Sequence, residues 1–174
     1  MIVYRQADTR FAFLWEDDTQ PSARWHRLGE GPVQYFADTP GGAWAEFLRH
    51  EEITDLDDLD GVRRALWAVE IGDPVLEAPA LPEPVVRGGP VTYRACQDEA
   101  ARLRANRATG LKVKSAALAD GAASGWRVEL GLRPGPPADG AVIVLFGARP
   151  DLLGWLIVDA GCPPIEVLRH VRPL

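Results

Sequence analysis

Apolar residues near the start of the chain follow first a strand pattern and then a helix pattern. Residues 33–37 are apolar and aromatic, and they follow a Gly- and Pro-rich segment, 29–32, that is typical of a turn. Residues 38–40 then offer an N-cap and a proline suited to a first helical turn. The next apolar residues recur at helical spacing: Ala43, Trp44, Phe47 and Leu48. The sequence therefore predicts a strand that leads directly into an amphipathic helix, with Tyr35 on the strand face that also carries Val33 and Ala37.

The rest of the chain mixes the same two patterns. Apolar runs and alternating apolar residues predict strands over 66–71, 111–115, 126–132, 141–146 and 155–158, and residues 92–108 predict a helix that ends near Gly110. We expect the acidic residues 51–60 to form a solvated loop or a short helix, and the Pro- and Gly-rich residues 72–90 to form an internal loop. This mixture predicts an α+β fold with a mostly antiparallel sheet.

Ser115 ends a segment in which lysines alternate with apolar residues. A strand there places Lys112 and Lys114 in water and turns Ser115 inward, on the face of Leu111 and Val113. A buried hydroxyl without a hydrogen-bond partner costs on the order of 1–3 kcal/mol, so we expect Ser115 to bond the backbone, another side chain or a ligand. A simpler interpretation, a serine that ends a strand and bonds the next turn, stays open here.

Glu46 lies on the predicted helix but away from its apolar stripe. At ~100° per residue, Glu46 falls well outside the centre of the stripe that runs through Trp44 and Phe47. The pattern by itself favours a solvated carboxylate near the start of a helix, where the helix dipole stabilises negative charge. A chemical role for Glu46 needs support from elsewhere in the chain.

Several short motifs occur in an order that resembles the RES-domain family. They begin with Val3, Tyr4 and Arg5, continue through residues 24–29, 33–37 and 43–50, and end with residues 110–116. Residues 140–146 resemble a later core strand of that family. The chain departs from the family pattern at His26, where asparagine is common, and at Lys114, where a proline often precedes the serine.

A chain of 174 residues with 47% hydrophobic residues is long enough for one domain with a core, so we expect a single domain over residues 1–174. The motifs that carry the resemblance lie in residues 1–120, and core strands are expected in residues 126–158. The family is similar in fold to ADP-ribosyltransferases, with a mostly antiparallel sheet and flanking helices. Its members degrade NAD⁺ in the bacterial cytoplasm and act as toxins that an antitoxin with an Xre-like segment restrains. The resemblance therefore implies an enzyme with NAD⁺ as its substrate, and an antitoxin partner that blocks the active site.

The family is named for an arginine, a glutamate and a serine, which implies catalytic roles for Arg24, Glu46 and Ser115. Cleavage of the nicotinamide glycosidic bond passes through a cationic sugar, which the carboxylate of Glu46 would stabilise more than it stabilises the ground state. The guanidinium of Arg24 suits a pyrophosphate through paired hydrogen bonds. The ring of Tyr35 offers a stacking face for the cationic nicotinamide. Ser115 is expected to bond either the ribose or Glu46 itself, so Arg24, Tyr35 and Ser115 form the expected NAD⁺-binding set.

The acceptor of the ADP-ribosyl group is left open by the sequence. Water, inorganic phosphate and a protein side chain are all compatible with the same site, and a phosphate would need a cation near the ribose, such as Arg24, Arg27 or Arg49. Two alternatives to NAD⁺ degradation also stay open: protein ADP-ribosylation by the same site, and a nucleotide-binding module without turnover. A homodimer is compatible with the sequence as well.

Composition narrows the remaining classes. A net charge of −6 argues against nucleic acid as a direct partner. No apolar run approaches the ~18 residues of a membrane span, and the start lacks a secretory pattern, so we expect a cytoplasmic protein. Two cysteines and three histidines show no metal-ligand spacing, so we predict no metal. Of six tryptophans, we expect only Trp25 and Trp44 near the site.

Overall fold

Seven strands form the main sheet in the computed structural model, which describes residues 1–174. The strands of this sheet are β1 (Ile2–Asp8), β2 (Val33–Ala37), β3 (Arg64–Glu70), β4 (Leu76–Glu77), β5 (Gly110–Lys114), β8 (Ala141–Phe146) and β9 (Leu153–Gly161). Their order across the sheet is β4-β5-β8-β2-β1-β3-β9. Only β4 and β5 run parallel, so the predicted α+β class with a mostly antiparallel sheet is confirmed.

Four helices flank the sheet: α1 (Pro40–His50), α2 (Glu83–Val86), α3 (Tyr93–Ala105) and α4 (Ile165–Leu168). The start of α1 is as predicted, because Thr39 caps it by accepting a hydrogen bond from the backbone N–H of Gly42 and Pro40 occupies the first turn. Helix α3 lies within the predicted range of 92–108. The acidic segment contains one short 3₁₀ turn, Asp57–Leu59.

The alternation of side chains along β2 divides the core between the two faces of the sheet. Val33 packs with the apolar side of α3, and Ala37 packs with Ala43 and Trp44 of α1. Phe36 points to the opposite face and packs with Val3, Val69 and other apolar residues there. The prediction that Val33, Tyr35 and Ala37 share a face is therefore confirmed.

Strands β1 and β2 separate almost as soon as they meet. They share a single residue pair, Tyr4 with Ala37, whereas β1 pairs with β3 at seven successive positions. The chain between them, residues 9–32, passes over the gap. A split between central strands leaves an opening in an otherwise continuous sheet, and the cavity described below lies at this split.

Two sequence predictions were wrong in detail. Residues 126–132 do not form one core strand: Trp126–Val128 (β6) and Leu132–Pro134 (β7) make an exposed hairpin outside the main sheet. The chain reverses at Leu130 and Gly131, where φ is 50° and 124°. Apolar residues continue to alternate through this point as they would along a single strand, which hid the reversal. Residues 72–90 are likewise more than a loop, since they contain β4 and α2.

No helix of the structure is both long enough and apolar enough to cross a membrane.

Candidate active site

A cavity of about 960 Å³ opens where β1 and β2 part. Its volume is at the upper end of the range that small-molecule sites occupy. Side chains from β1, β2, α1, the start of α3 and the segment between β1 and β2 all line it. The residues that matter for its chemistry are Arg5, Trp15, Arg24, Tyr35, Glu46 and Arg49.

The carboxylate of Glu46 is held in the cavity by Ser115. The Ser115 hydroxyl donates a hydrogen bond to Glu46 Oε1 at 2.8 Å and accepts one from each of the backbone N–H groups of Ala117 and Leu118, both at 3.1 Å. Ser115 is only 2 % exposed. Its hydroxyl therefore has the partners that its buried position requires, and it joins a turn that follows β5 to a helix 69 residues earlier in the chain.

Burial raises the pKa of the Glu46 carboxyl above its usual value. The hydrogen bond from Ser115 and the positive charges of Arg24 and Arg49 act in the opposite direction, toward the ionised form. The interpretation of Glu46 as a solvated helix carboxylate is thus wrong. The helix pattern could not reveal this, because Ser115, which bonds Glu46, comes from a distant part of the chain.

Arg24 enters the cavity from a tight turn. Ala23 and His26 close that turn through two backbone hydrogen bonds, and Trp25 at its tip is buried in the core with the apolar residues of α3. The Arg24 guanidinium donates to the Gly88 carbonyl at 2.7 Å and lies 4.7 Å from the centre of the Tyr93 ring. Because Trp25 is anchored in the core, the turn fixes the direction in which Arg24 points.

Three more arginines line the cavity, and one of them, Arg64, pairs with Asp8. Arg49, one turn after Glu46 on α1, is buried and donates to the carbonyl oxygens of Arg87, Gly88 and Pro173. Arg5 on β1 donates to Gln34 Oε1 at 2.5 Å, and burial lowers the pKa of Arg5 to about 10, which still leaves it charged at neutral pH.

All hydrogen bonds of Arg5, Arg24 and Arg49 go to neutral oxygen atoms. Partly buried guanidiniums without a carboxylate partner favour an anionic ligand, because such a ligand supplies the missing charge. The cavity thus combines the Glu46 carboxylate with two guanidiniums, those of Arg24 and Arg49, that act on its charge; Asp8, Glu16 and Asp17 are the other acidic side chains that line it. This combination suits a molecule that carries phosphate groups and develops a cation near Glu46.

Tyr35 has a structural task besides any contact with a ligand. Its hydroxyl accepts a hydrogen bond from the backbone N–H of Trp25 at 3.0 Å and lies 2.9 Å from Nδ1 of His26. Its ring lines the cavity. Tyr35 therefore connects β2 to the turn that carries Arg24. The stacking of its ring on nicotinamide stays a prediction.

The structure changes the set of candidate residues in three places. Arg27 does not line the cavity but pairs with Asp98 and Glu30 on the outside, so of the candidate cations only Arg24 and Arg49 remain. Trp44, a residue of α1, was expected near the site but packs in the core, whereas Trp15 lines the cavity. The sequence reasoning assigned no role to Trp15 or Arg5, although Arg5 stands in the first of the motifs that carried the family resemblance.

Trp15 belongs to the segment that passes over the gap between β1 and β2. The side chain of Gln34 holds that segment by bonding both the backbone N–H and the carbonyl of Trp15.

No group of three or more His, Cys, Asp or Glu side chains is placed to hold a metal ion.

The RES domain family model matches residues 2–157. The chain belongs to the RES-domain family. No curated protein sequence matches it. In structure, this RES-domain protein is similar to the toxin in the crystal structure of the M. tuberculosis MbcT–MbcA toxin–antitoxin complex, with a TM-score of 0.57 and 14% sequence identity over 91% of this chain and 84% of that chain. At that identity the likeness concerns the fold alone.

Proposed function

We propose that this RES-domain protein cleaves the nicotinamide glycosidic bond of NAD⁺ and acts as the toxin of a toxin–antitoxin pair. The observation that carries the proposal is the Glu46 carboxylate, held by Ser115 in a cavity that three arginines without carboxylate partners also line. A carboxylate beside a developing sugar cation stabilises the transition state, and the guanidiniums bind the phosphates of the same molecule.

Each residue has a defined part in the proposed reaction. The C1′–N1 bond breaks, its electron pair leaves with nicotinamide, and the positive charge that develops on the ribose faces Glu46. Ser115 fixes the rotamer of that carboxylate. Arg24 and Arg49 hold the pyrophosphate, and the ring of Tyr35 stacks on nicotinamide. An oxygen atom of the acceptor then forms the new bond to C1′.

The products of the reaction identify the acceptor of the ADP-ribosyl group. Water yields ADP-ribose and a proton, whereas inorganic phosphate yields a phosphorylated ADP-ribose. If phosphate is the acceptor, its addition accelerates the loss of NAD⁺, and a cation near the ribose is needed to bind it. A rate that does not respond to phosphate, with ADP-ribose as the product, assigns the reaction to hydrolysis. Transfer of label from NAD⁺ to a protein assigns it to protein ADP-ribosylation.

The decisive experiment follows nicotinamide release from NAD⁺ by the purified protein. We expect release by the wild type and a loss of about 100-fold or more in Glu46→Gln, which keeps the volume and the hydrogen bond of Glu46 but not its charge. Glu70→Gln, at an exposed position on β3, is the matched control and is expected to act like the wild type. If the folded wild type binds NAD⁺ but releases no nicotinamide, the protein is a nucleotide-binding module instead.

The toxin part of the proposal is supported by the structural likeness to a protein solved together with its antitoxin. We propose an antitoxin with an Xre-like segment that places a carboxylate against Arg24 and Arg49, where it imitates the phosphates of the substrate. The site of action is the cytoplasm, where NAD⁺ is present. Expression without the partner is then expected to arrest growth, and Glu46→Gln is expected to relieve the arrest. Soluble, folded wild type that leaves growth unchanged contradicts this part.

A further inference from the structure

The turn after β5 is held from two sides. From inside, the Ser115 hydroxyl accepts the N–H groups of Ala117 and Leu118. From outside, the guanidinium of Arg87 donates to the carbonyl oxygen of Ser115 at 3.0 Å and to that of Leu118 at 2.9 Å. One planar group thus bonds both ends of the turn whose first residue holds Glu46.

Arg87 caps the end of α2 and is only 6 % exposed. Its remaining nitrogen pairs with Glu83 at 2.6 Å and with Asp120 at 2.7 Å. A buried guanidinium with two carboxylates is neutralised, so it does not attract a further anion. In this respect Arg87 differs from Arg24 and Arg49, and it does not line the cavity around Glu46.

The surroundings of Arg87 fix its direction. Lys114 bonds the same Asp120 at 3.1 Å and also Asp139 at 2.9 Å, so the carboxylate that holds Arg87 is itself held. The backbone carbonyl of Arg87 accepts a hydrogen bond from Arg49 at 3.4 Å. Arg87 therefore contacts both the turn that begins at Ser115 and Arg49, one of the arginines of the cavity.

We propose that Arg87 is a positioning residue, which holds the Glu46 carboxylate in its working direction through the backbone of the Ser115 turn. A guanidinium is suited to this because its fork donates two hydrogen bonds in one plane, whereas an ammonium group has no such fixed geometry. The inference rests on the proposed cleavage of NAD⁺. It adds a residue that touches neither the substrate nor Glu46.

The test compares Arg87→Lys with the wild type in nicotinamide release. Lysine keeps a positive charge near Glu83 and Asp120 but cannot reproduce the paired hydrogen bonds to the turn. A small displacement of a catalytic group can cost about 100-fold in rate, so we expect kcat to fall by about 10- to 100-fold while KM stays within about twofold. Arg104→Lys, at a partly buried arginine that pairs with Glu30 away from the cavity, is the matched control and is expected to keep its kcat.

A double-mutant cycle shows whether Arg87 acts through Ser115. In a Ser115→Ala background the Arg87→Lys change is expected to lower kcat by less than about twofold, because the connection it supports is already lost. Equal losses in both backgrounds, or a rise in KM alone, would overturn the proposal. Asp120→Asn, at an exposed position, is expected to lower kcat to a smaller degree and serves where the Arg87 variants do not fold.

A titration of the Glu46 carboxyl by ¹³C NMR separates this inference from the proposed function. The Ser115 hydrogen bond favours the ionised carboxylate, so the pKa of Glu46 is expected to rise both in Ser115→Ala and in Arg87→Lys. A wild type that releases no nicotinamide contradicts the proposed function but leaves this titration valid. An unchanged Glu46 pKa in a folded Arg87→Lys protein refutes the positioning role.

Discussion

Substitution of Ser115 by alanine is the sharpest test of how the site is built. The change removes the acceptor of two buried N–H groups, those of Ala117 and Leu118. A buried donor left without a partner costs about 1–3 kcal/mol, so the two together should lower the free energy of unfolding by about 2–6 kcal/mol. In a domain of this size each kcal/mol lowers Tm by about 2–4 °C, and we expect a fall in Tm of at least about 4 °C.

The assay is thermal unfolding followed by circular dichroism, with urea unfolding as a second measure of the same free energy. Ser22→Ala is the matched control, because the Ser22 hydroxyl also accepts a backbone N–H, that of Leu28 at 2.8 Å, but does so at the surface. Water can replace the Ser22 hydroxyl, so its loss should cost less than about 1 kcal/mol. If Ser115→Ala is no less stable than Ser22→Ala, the hydroxyl does not hold the turn as described.

The same substitution also makes a prediction about pH. The Ser115 hydroxyl stabilises ionised Glu46, so its removal raises the pKa of that carboxyl further above the usual value. The proposed reaction uses the ionised form, and its rate falls as the pH falls through that pKa. The acid limb of the pH–kcat profile should therefore move to higher pH in Ser115→Ala. A limb that stays in place assigns the acid limb to another group.

Three further predictions concern the charges and the hydroxyl of the cavity. Burial raises the pKa of Glu46, so its ionisation lowers the stability of the fold as the pH rises above the pKa of this carboxyl in the unfolded chain. Glu46→Gln should therefore raise Tm at neutral pH, and it should lose that advantage in acid, where Glu46 is protonated. Equal Tm values at both pH values contradict it. Arg24→Ala and Arg49→Ala should each weaken ADP-ribose binding measured by calorimetry, and unchanged affinity in both moves the phosphate site elsewhere. Tyr35→Phe should keep KM for NAD⁺, since the ring remains, but it should lower Tm, because the backbone N–H of Trp25 loses its acceptor. A raised KM at unchanged Tm would show instead that the hydroxyl acts on the ligand and not on the fold.

Local patterns sufficed to predict much of the fold because they are set by neighbours in sequence. The Thr39 cap, Pro40 and the apolar stripe of α1 all lie within one short segment, so their signals reinforce one another. The alternation along β2 correctly predicted that Val33, Tyr35 and Ala37 share one face, and the structure shows that α1 and α3 pack on that face. The hairpin at Leu130 and Gly131 lacked such agreement, since apolar residues keep alternating through the point where the chain reverses.

The site was less predictable, because its parts come from distant segments. The sequence singled out Ser115 through the cost of burying a hydroxyl, and the structure supplies the partner, Glu46. It could not show that Glu46 is bonded within a cavity, since its partner Ser115 follows β5, 69 residues later in the chain. The sequence also named Arg27, with Arg24 and Arg49, as a candidate cation of the site. The direction of a side chain in a turn depends on which neighbouring residue anchors the turn, and the sequence does not show this. Here the burial of Trp25 decides it, and Arg27 points outward to Asp98.

Net charge and local charge act in opposite directions in this chain. A total of −6 would repel an anionic dinucleotide at long range, yet three of the arginines that line the cavity, Arg5, Arg24 and Arg49, bond only neutral oxygens, while many surface arginines pair with carboxylates. At physiological ionic strength the distant charges are screened beyond about 8 Å, whereas partly buried ones are screened far less. A ligand inside the cavity therefore experiences Arg5, Arg24 and Arg49 rather than the acidic surface. The guanidiniums of Arg5, Arg24 and Arg49 are partly removed from water without a carboxylate to neutralise them, and this lowers the stability of the folded state. We therefore expect an anion, from a substrate or from an antitoxin, to stabilise the fold when it binds.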